Sequence, residues 1–460
     1  MLKSLTTKAT GRVVPLTPVA KRDLAGWLKT QPASLKAWVR DTGFGAAAGE
    51  VSLVPAASGR LERVLLGLGA GDGGPWTWGG LAGGLPKGAY RIAPAPDRAL
   101  AADAALGWAL GGYRFGRYRD VPAPRARLLW PKAADKAAVE RAAAGTFLAR
   151  DLINTPANDM GPPDLAAAAR ALARRFGARC RVIAGDDLLR RNFPAIHAVG
   201  RASSRPPCLI DLAWGPKSAP TVTLVGKGVC FDSGGLDLKS SSNMKLMKKD
   251  MGGAANVLGL ASMIMAARLK VSLRVLIPAV ENSVSGNAMR PMDVIPTRKG
   301  LTVEIGNTDA EGRVILADAL AEACAGEPDL LIDFATLTGA ARVALGTDVP
   351  AFFCNDDRLA ADLAHVSSVT SDPLWRLPLW RPYREQIVSK VADLNNAPSE
   401  ATGGAITAAL FLAEFIKSGI PWIHIDLMAW NARARPGRPE GGEAQGMRAV
   451  FALIEARVGA

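Results

Sequence analysis

The chain has 460 residues, of which 49% are hydrophobic and 21% are charged. This composition is that of an ordinary globular protein and excludes an intrinsically disordered chain, and the length predicts two domains. The net charge of +14 comes from arginines scattered along the sequence, without a helix-turn-helix, zinc finger or aromatic stacking motif. Nucleic-acid binding is therefore an alternative that the pattern does not favour.

The first part of the chain mixes short β-type runs, such as residues 63–66, with loops rich in glycine and proline. We interpret residues 1–130 as a smaller N-terminal α/β domain without a catalytic pattern. The run from Gly69 to Gly74 has the spacing of a dinucleotide-binding fingerprint, but Pro75 follows where an apolar helix should begin. A dinucleotide site is therefore a weak alternative.

An alanine-rich segment, residues 133–152, has apolar residues at helical spacing and predicts a connecting helix within residues 131–155. Residues 156–460 then alternate helical and strand patterns, which predicts an α/β catalytic domain with a mainly parallel sheet flanked by helices. We expect helices at residues 165–176, 254–268 and 316–325, strands near 181–183, 209–213, 221–225, 273–277, 302–305 and 330–334, and further elements at 408–416 and 422–427.

The five cysteines are odd in number and widely spaced, with no C-x-x-C pair. They predict neither a disulfide framework nor a zinc knuckle and fit a reducing compartment. No uncharged apolar run has the length of a membrane span, and no apolar core of signal-peptide length follows the N-terminal residues. We therefore expect a cytoplasmic protein without a membrane segment.

Charged residues gather at glycine-rich breaks in the C-terminal half. The strand at 221–225 runs into Gly-Lys-Gly-Val-Cys-Phe-Asp-Ser-Gly-Gly, Asp250 precedes Met-Gly-Gly and an apolar helix, and Asn-Thr-Asp-Ala-Glu-Gly-Arg begins at Asn307. Such breaks place side chains at the ends of strands and helices. The residues concerned are Lys227, Asp232, Lys239, Asp250, Asp309, Glu311 and Arg313.

Each of these residues alone is more often a helix cap, a turn residue or a solvated lysine than a functional group. Together the four carboxylates carry the charge that would neutralise two divalent cations. The chain has only three histidines and no H-E-x-x-H, which excludes a histidine-based zinc site. The cluster therefore indicates a carboxylate centre for two metals.

The runs VGKG, FDSGG, DMGGAANV and above all NTDAEGR resemble those of the leucyl aminopeptidase (cytosol aminopeptidase) family, with the same spacing from Lys227 to Asp250. The resemblance continues to the run His424-Ile425-Asp426 and covers about two thirds of the chain, and none is found before about residue 130. It implies a metal-dependent aminopeptidase that cuts short peptides at a free N-terminus and assembles as a homohexamer.

The resemblance also implies a role for each residue of the cluster. Lys227, Asp232, Asp250 and Glu311 would bind one Mn²⁺ or Zn²⁺ ion, and Asp232, Asp309 and Glu311 the other. Lys239 would stabilise the oxyanion, and Arg313 would hold a bicarbonate that acts as the base. The pocket for the first side chain would be lined by Met247, Thr336, Leu337, Gly339 and Met428.

Two positions depart from the family pattern. The family usually has a small residue where Met428 stands, so we expect a shorter pocket, and it usually has a cysteine where Gly252 stands, with little expected effect on the chemistry. A serine hydrolase that uses Ser233 is a competing hypothesis, but no G-x-S-x-G surrounds this serine. We interpret His424, which lies in an apolar run, as a core residue and not as a catalytic base.

Overall fold

The computed structural model describes residues 2–9, 11–71 and 73–459. The chain forms two compact units, one of Met1–Ala144 with Ala432–Glu440 and the other of Gly145–Asn431 with Gly441–Ala460. Both units combine sheets with flanking helices, so the expected two-domain α/β architecture is confirmed.

The N-terminal unit is built on a six-stranded sheet in the order β1-β6-β5-β2-β4-β3, in which only the β3–β4 pair is antiparallel. Its strands bury Leu16, Val64 and Leu65, and Trp108 of the longest helix is fully buried. The elements are β1 (Leu5–Thr6), β2 (Val13–Val19), α1 (Leu24–Lys29), α2 (Ala33–Thr42), β3 (Val51–Pro55), β4 (Leu61–Gly67), α3 (Leu81–Gly84), β5 (Gly88–Ile92), α4 (Arg98–Gly111) and β6 (Ala126–Leu129).

The run that resembles a dinucleotide fingerprint follows β4, and its Asp72 lies outside the described residues. The described part leads into a five-residue 3-10 turn at Gly74–Trp78, and α3 has only four residues. A pyrophosphate site needs the N-terminus of a longer helix directly after the glycines. The structure therefore does not support this alternative.

The C-terminal unit contains most of the helices and strands. The helix α5 (Lys136–Asn154) begins in the N-terminal unit and ends in the C-terminal unit. The other helices of the C-terminal unit are α6 (Pro162–Phe176), α7 (Asp187–Arg190), α8 (Pro194–Gly200), α9 (Ser241–Met244), α10 (Gly252–Ala267), α11 (Glu311–Ala325), α12 (Gly339–Leu345), α13 (Asp357–Val369), α14 (Gly404–Ala413) and α15 (Met447–Gly459). Its strands are β7 (Arg179–Ala184), β8 (Cys208–Trp214), β9 (Thr221–Gly226), β10 (Gly228–Asp232), β11 (Ser272–Asn282), β12 (Val294–Pro296), β13 (Thr302–Glu304), β14 (Leu330–Ala335), β15 (Ala351–Cys354), β16 (Trp375–Arg376), β17 (Leu394–Asn395), β18 (Trp422–Asp426), β19 (Trp430–Asn431) and β20 (Gly441–Gly442).

The main sheet has the order β16-β15-β18-β14-β9-β11-β8-β7, with β10 also pairing with β11. The central pairs β18–β14, β14–β9, β9–β11 and β10–β11 are parallel, and the sheet is antiparallel at β15–β18, β11–β8 and β8–β7. The central strands read as continuous apolar runs because α10 and α11, which are buried along most of their length, pack against the sheet.

Three details differ from the sequence-based expectations. Gly228–Asp232 is a strand, whereas we expected the loop to begin there. The predicted strand at 302–305 is β13, which belongs to a separate three-stranded sheet with β12 and β17. The helix expected at 316–325 begins at Glu311, and the prediction placed its start too late because polar residues in the first turn interrupt the apolar pattern.

One segment, Met247–Ala267, has the length and hydropathy of a membrane span. In the structure, 89% of this window is buried inside the protein. A core helix of a folded domain has the same composition, so this segment is explained by its position against the main sheet.

Candidate metal centre

Parallel strands bring the candidate residues to one edge of the main sheet. Lys227 follows β9, Asp232 ends β10, Asn282 ends β11 and Thr336 follows β14. Because the carboxyl ends of parallel strands meet at the same edge, residues far apart in sequence become neighbours there. Asp250 joins them from a 3-10 turn, Met247–Met251, that precedes α10.

The carboxylates form a compact group. One oxygen each of Asp232, Asp309 and Glu311 lie within 4.8 Å of one another. Lys227 Nζ lies 2.8 Å from Asp250 Oδ2 and 2.9 Å from Glu311 Oε1, and it donates to the carbonyl of Thr336 at 3.0 Å. The structure thus brings together all five residues to which the sequence assigns metal binding.

Four buried oxygens of this group, Asp250 Oδ2, Asp309 Oδ1, Glu311 Oε1 and Glu311 Oε2, lack a well-oriented hydrogen bond among the described residues. The ammonium groups of Lys227 and Lys239 form ion pairs with the first three, and Glu311 Oε2 has no donor in the described chain. Two ammonium groups leave the charge of four carboxylates incompletely paired, so the buried oxygens call for further cations. Divalent cations that prefer oxygen ligands satisfy this requirement, and the donor set fits them.

The pKa values of the carboxyl groups show that their negative charges repel one another. Burial, and then the charge of Asp232, raise the pKa of Asp309 to about 6 and hold the pKa of Glu311 well above its usual range. Burial acts in the same direction on Asp250, but the cations Lys227 and Lys249 outweigh it and lower its pKa. Bound cations would relieve the repulsion that contributes to the raised pKa values of Asp309 and Glu311.

Lys227 is 3% exposed. Burial opposes its positive charge, but Asp250, Glu311 and Asp232 outweigh burial and raise its pKa. A lysine binds a metal only as the neutral amine, so metal binding at Lys227 would have to displace a proton. The carboxylates of Asp250, Glu311 and Asp232, whose negative charges keep Lys227 protonated, are the same groups whose charge a metal ion would neutralise.

Lys239 follows β10 and pairs with the other carboxylates. Its Nζ lies 2.8 Å from Asp232 Oδ2 and also forms an ion pair with Asp309. Burial opposes the positive charge of Lys239, but these two carboxylates outweigh burial and raise its pKa to about 12. Lys239 is therefore a permanent cation at the edge of the carboxylate group.

Two residues to which the sequence assigned no role at the centre orient its carboxylates. Asn282 Nδ2 donates to Asp232 Oδ1 at 2.8 Å and to the carbonyl of Thr308 at 3.1 Å. Thr336, predicted only as a pocket residue, also donates from its hydroxyl to Asp250 Oδ1 at 2.8 Å. The sequence signal for Asn282 was that the pair Glu281-Asn282 belongs to the stretch that resembles the family.

Arg313 lies in the first turn of α11 and is 7% exposed. Its Nη1 donates to the carbonyl of Asn396 at 2.8 Å, and its buried Nε has no hydrogen-bond acceptor in the described part of the chain. Burial lowers the pKa of Arg313 to about 10, although Glu311 and Asp426 oppose the shift. Arg313 is absent from the residues that line the adjoining cavity.

A cavity of about 610 Å³ opens beside the carboxylate group. The five predicted pocket residues all line it together with Lys227, Asp232, Lys239, Asp250 and Asp309. A Cβ atom at Gly252 would collide with Ala429 Cβ and would lie 3.1 Å from Thr336 Cγ2. This backbone therefore has no room for the cysteine that the family usually has there.

The cavity also contains two cations that the sequence analysis did not select. Lys249, 3% exposed, and Arg342 of α12 both line it, and neither forms an ion pair within the described residues. Burial, with a smaller contribution from the charge of Arg342, lowers the pKa of Lys249 to about 8. Neither residue belongs to a recognisable motif, because Lys249 lies in a short basic run and Arg342 lies in a segment with an ordinary helical pattern.

The serine hydrolase hypothesis finds no base in the structure. Ser233 Oγ donates to the carbonyl of Asn282 at 2.7 Å. His424 is buried, with Nδ1 2.6 Å from Asp333 Oδ1, and His197 lies 3.3 Å from Asp186. No described histidine is hydrogen-bonded to Ser233, so the chemistry of this site lies with the carboxylates.

Comparisons with known proteins agree with this geometry. A family model described as "Cytosol aminopeptidase family, catalytic domain" matches residues 147–451, and one described as "M17 aminopeptidase, N-terminal domain" matches residues 14–131. The second match corrects the sequence analysis, which found no resemblance before about residue 130. The short strands of this unit carry no motif that a single sequence reveals.

Individual relatives are similar over most of their length. The probable cytosol aminopeptidase of Syntrophotalea carbinolica is 44% identical over 368 residues, which are 76% of this chain and 73% of the relative. The crystal structure of the cytosol aminopeptidase from Coxiella burnetii has a TM-score of 0.94 and 51% identity, with 99% of each chain covered. The bottromycin maturation enzyme BotP, in complex with Mn, has a TM-score of 0.86 and 36% identity, covering 97% of this chain and 99% of its own.

Proposed function

The chain belongs to the cytosol aminopeptidase family of metallopeptidases, and from this premise we propose that it removes the N-terminal residue of short peptides with two divalent metal ions. The observation that carries the proposal is the group formed by Asp232, Asp309 and Glu311, whose oxygens lie within 4.8 Å of one another. The four carboxylates form ion pairs with only two ammonium groups of the described residues, those of Lys227 and Lys239, and Glu311 Oε2 has no hydrogen-bond donor in the described chain.

The residues that would hold the ions are those that the resemblance assigns. Lys227, Asp232, Asp250 and Glu311 would hold one ion, and Asp232, Asp309 and Glu311 the other. When bound, such ions supply Lewis acidity that activates water and polarises a carbonyl group. Mn²⁺ and Zn²⁺ are the proposed ions, and the Mn complex of BotP supports the first of them.

The chain's own groups would bind and orient the peptide. Asp250, which lines the cavity and pairs there with Lys227, would accept a hydrogen bond from the free α-amino group of the substrate. This contact explains why a blocked N-terminus should not be accepted. Lys239, a cation that lines the cavity, would donate to the oxyanion that develops as the peptide bond is attacked.

Arg313 would act through a small anion. Its buried Nε has no acceptor in the described chain, so a bicarbonate beside the guanidinium would be both neutralised and oriented by it. When held there by Arg313, a bicarbonate would supply the general base for the reaction. The absence of a described histidine in the cavity lining supports an external base.

The setting proposed for this activity is the cytoplasm, in intracellular peptide turnover. The relatives are named cytosol aminopeptidases, and none of the five cysteines forms a disulfide. We also propose the homohexamer that the family resemblance implies.

Metal removal tests the proposed function. Chelation should abolish hydrolysis of leucine amide, re-addition of Mn²⁺, Zn²⁺ or Co²⁺ should restore it, and N-acetyl-leucine amide should resist cleavage throughout. Asp250→Asn and Glu311→Gln should each lower turnover severely, whereas Asp357→Asn, at a side chain that is 92% exposed, should not. Full activity of protein shown by elemental analysis to be metal-free would refute the proposal.

A further inference from the structure

The cavity beside the metal centre has more positive charge than its own carboxylates use. Its lining includes four carboxylates and four cations. Lys227 and Lys239 are fully engaged with Asp232, Asp250, Asp309 and Glu311. The fourth lining carboxylate, Asp237, accepts from the backbone N–H of Thr308 at 2.7 Å.

Arg342 is the first cation left over. It lies in α12, and its Nη1 is 3.2 Å from Met428 Sδ, a weak acceptor. A Cβ atom added at Gly339 would lie 3.4 Å from Arg342 Nη2, so the guanidinium also covers this glycine. Gly339 and Met428 are both predicted pocket residues, and the guanidinium therefore lies at the site of the first side chain.

No carboxylate of the described residues pairs with Arg342. Asp426, which ends β18 nearby, accepts from the N–H groups of Leu337 and Thr338 and from the hydroxyl of Thr338 at 2.6 Å. Its oxygens are therefore occupied in holding the loop before α12. A guanidinium in a cavity without a counter-ion is a ready site for a planar carboxylate.

Lys249 is a second, independent observation. It is 3% exposed and lines the same cavity, and its ammonium makes no hydrogen bond or ion pair within the described part of the chain. Buried lysines are rarely left without a partner, because desolvating the ammonium is costly. Two such cations in one cavity indicate that it is built for an anion.

We propose that the side-chain pocket of this protein selects an acidic N-terminal residue, glutamate or aspartate, with Arg342 binding the side-chain carboxylate and Lys249 adding a second positive charge. The inference rests on the proposed aminopeptidase function and names its substrate class. Met247 and Leu337 would contact the methylene stem, for which glutamate offers the longer apolar surface. Met428 fills space that a larger aliphatic side chain would need.

A peptide also has a C-terminal carboxylate, and the experiment must separate the two sources. Aminoacyl amides have no such group, so they report on the first side chain alone. For glutamate amide against its neutral isostere glutamine amide, kcat/KM should be about 10- to 100-fold higher, the range expected for a charge-assisted hydrogen bond. Arg342→Gln should remove most of this ratio, and Arg342→Glu should reverse it in favour of lysine amide. Arg358→Gln, at an exposed arginine of α13, is the matched control and should keep the ratio.

The outcomes separate the inference from the function on which it rests. Hydrolysis of leucine amide without a preference for glutamate over glutamine overturns the inference and leaves the proposed function standing. An unchanged ratio of kcat/KM for glutamate amide to that for glutamine amide in Arg342→Gln also overturns it. So does a loss of activity in this variant that affects free dipeptides and spares their C-terminal amides, because Arg342 would then bind the C-terminal carboxylate of the peptide. If metal-loaded protein cleaves no aminoacyl amide, the proposed function fails, and the inference fails with it.

Discussion

Gly312 should be the residue at which one added methyl group most directly disturbs the metal centre. It is the second residue of α11, and a Cβ atom there would lie 2.6 Å from Lys227 Nζ and 2.8 Å from its Cδ. Both distances are well below a van der Waals contact, and Lys227 is held between Asp250 and Glu311. In Gly312→Ala the ammonium of Lys227 must therefore move away from the carboxylates.

The size of the effect follows from two opposed contributions. Alanine stabilises a helix by up to about 1 kcal/mol relative to glycine, whereas overpacking a buried site costs about 1–3 kcal/mol. Net destabilisation should thus be about 0–2 kcal/mol, small enough for the protein to fold. Displacement of a ligand should lower metal affinity by at least about 10-fold, the lower limit for disturbing a supporting residue.

Thermal unfolding of metal-free protein and calorimetric titration with Mn²⁺ measure the two contributions separately. Gly26→Ala is the matched control, because Gly26 is an exposed helical glycine whose added Cβ atom would contact nothing within 4 Å. It should leave metal affinity unchanged. Wild-type affinity for both ions in Gly312→Ala would refute the assignment of Lys227 as a ligand.

Three further predictions concern other residues of the site. Lys239→Ala should lower kcat roughly 10²- to 10³-fold, as expected for loss of one oxyanion donor, while elemental analysis finds the metals retained; loss of an ion would show that the two lysines have exchanged roles. Met428→Ala should raise kcat/KM for leucine and phenylalanine amides relative to alanine amide, because the pocket lengthens, and an unchanged ratio would remove position 428 from the pocket. The proton on Asp309, whose pKa is raised to about 6, competes with a cation, so metal affinity in a calorimetric pH series should fall as pH drops through about 6; constant affinity down to about pH 4 would contradict a ligand role for Asp309.

The main features of the metal centre could be predicted because they follow from local chain chemistry. Glycine-rich breaks after apolar runs indicate the ends of strands, so Lys227 and Asp232 could be placed where the sheet opens, and Asp250 could be placed at the start of an apolar helix. The resemblance of NTDAEGR then assigned Asp309, Glu311 and Arg313 to the metal centre. The start of α11 was placed too late because Glu311 and Arg313 interrupt the apolar periodicity of that helix.

The unpaired cations of the pocket could not be predicted in the same way. Arg342 and Lys249 are separated by more than ninety residues in sequence, and only the fold determines that neither meets a carboxylate. Likewise, the hydrogen bonds from Asn282 and Thr336 depend on the register of strands that meet across the sheet. Composition and periodicity predict which face of a helix or strand is buried and where the element ends. Which polar atoms pair with one another follows only from the three-dimensional structure.

The number and position of the metal ions test the central claim most directly. Crystals of Mn²⁺-loaded protein should show two anomalous peaks per chain about 3.5–4 Å apart, the separation of a two-metal hydrolytic site. One peak should contact Lys227 and Asp250, the other Asp309, and both should contact Asp232 and Glu311. A single peak, or two peaks away from these carboxylates, would contradict the account.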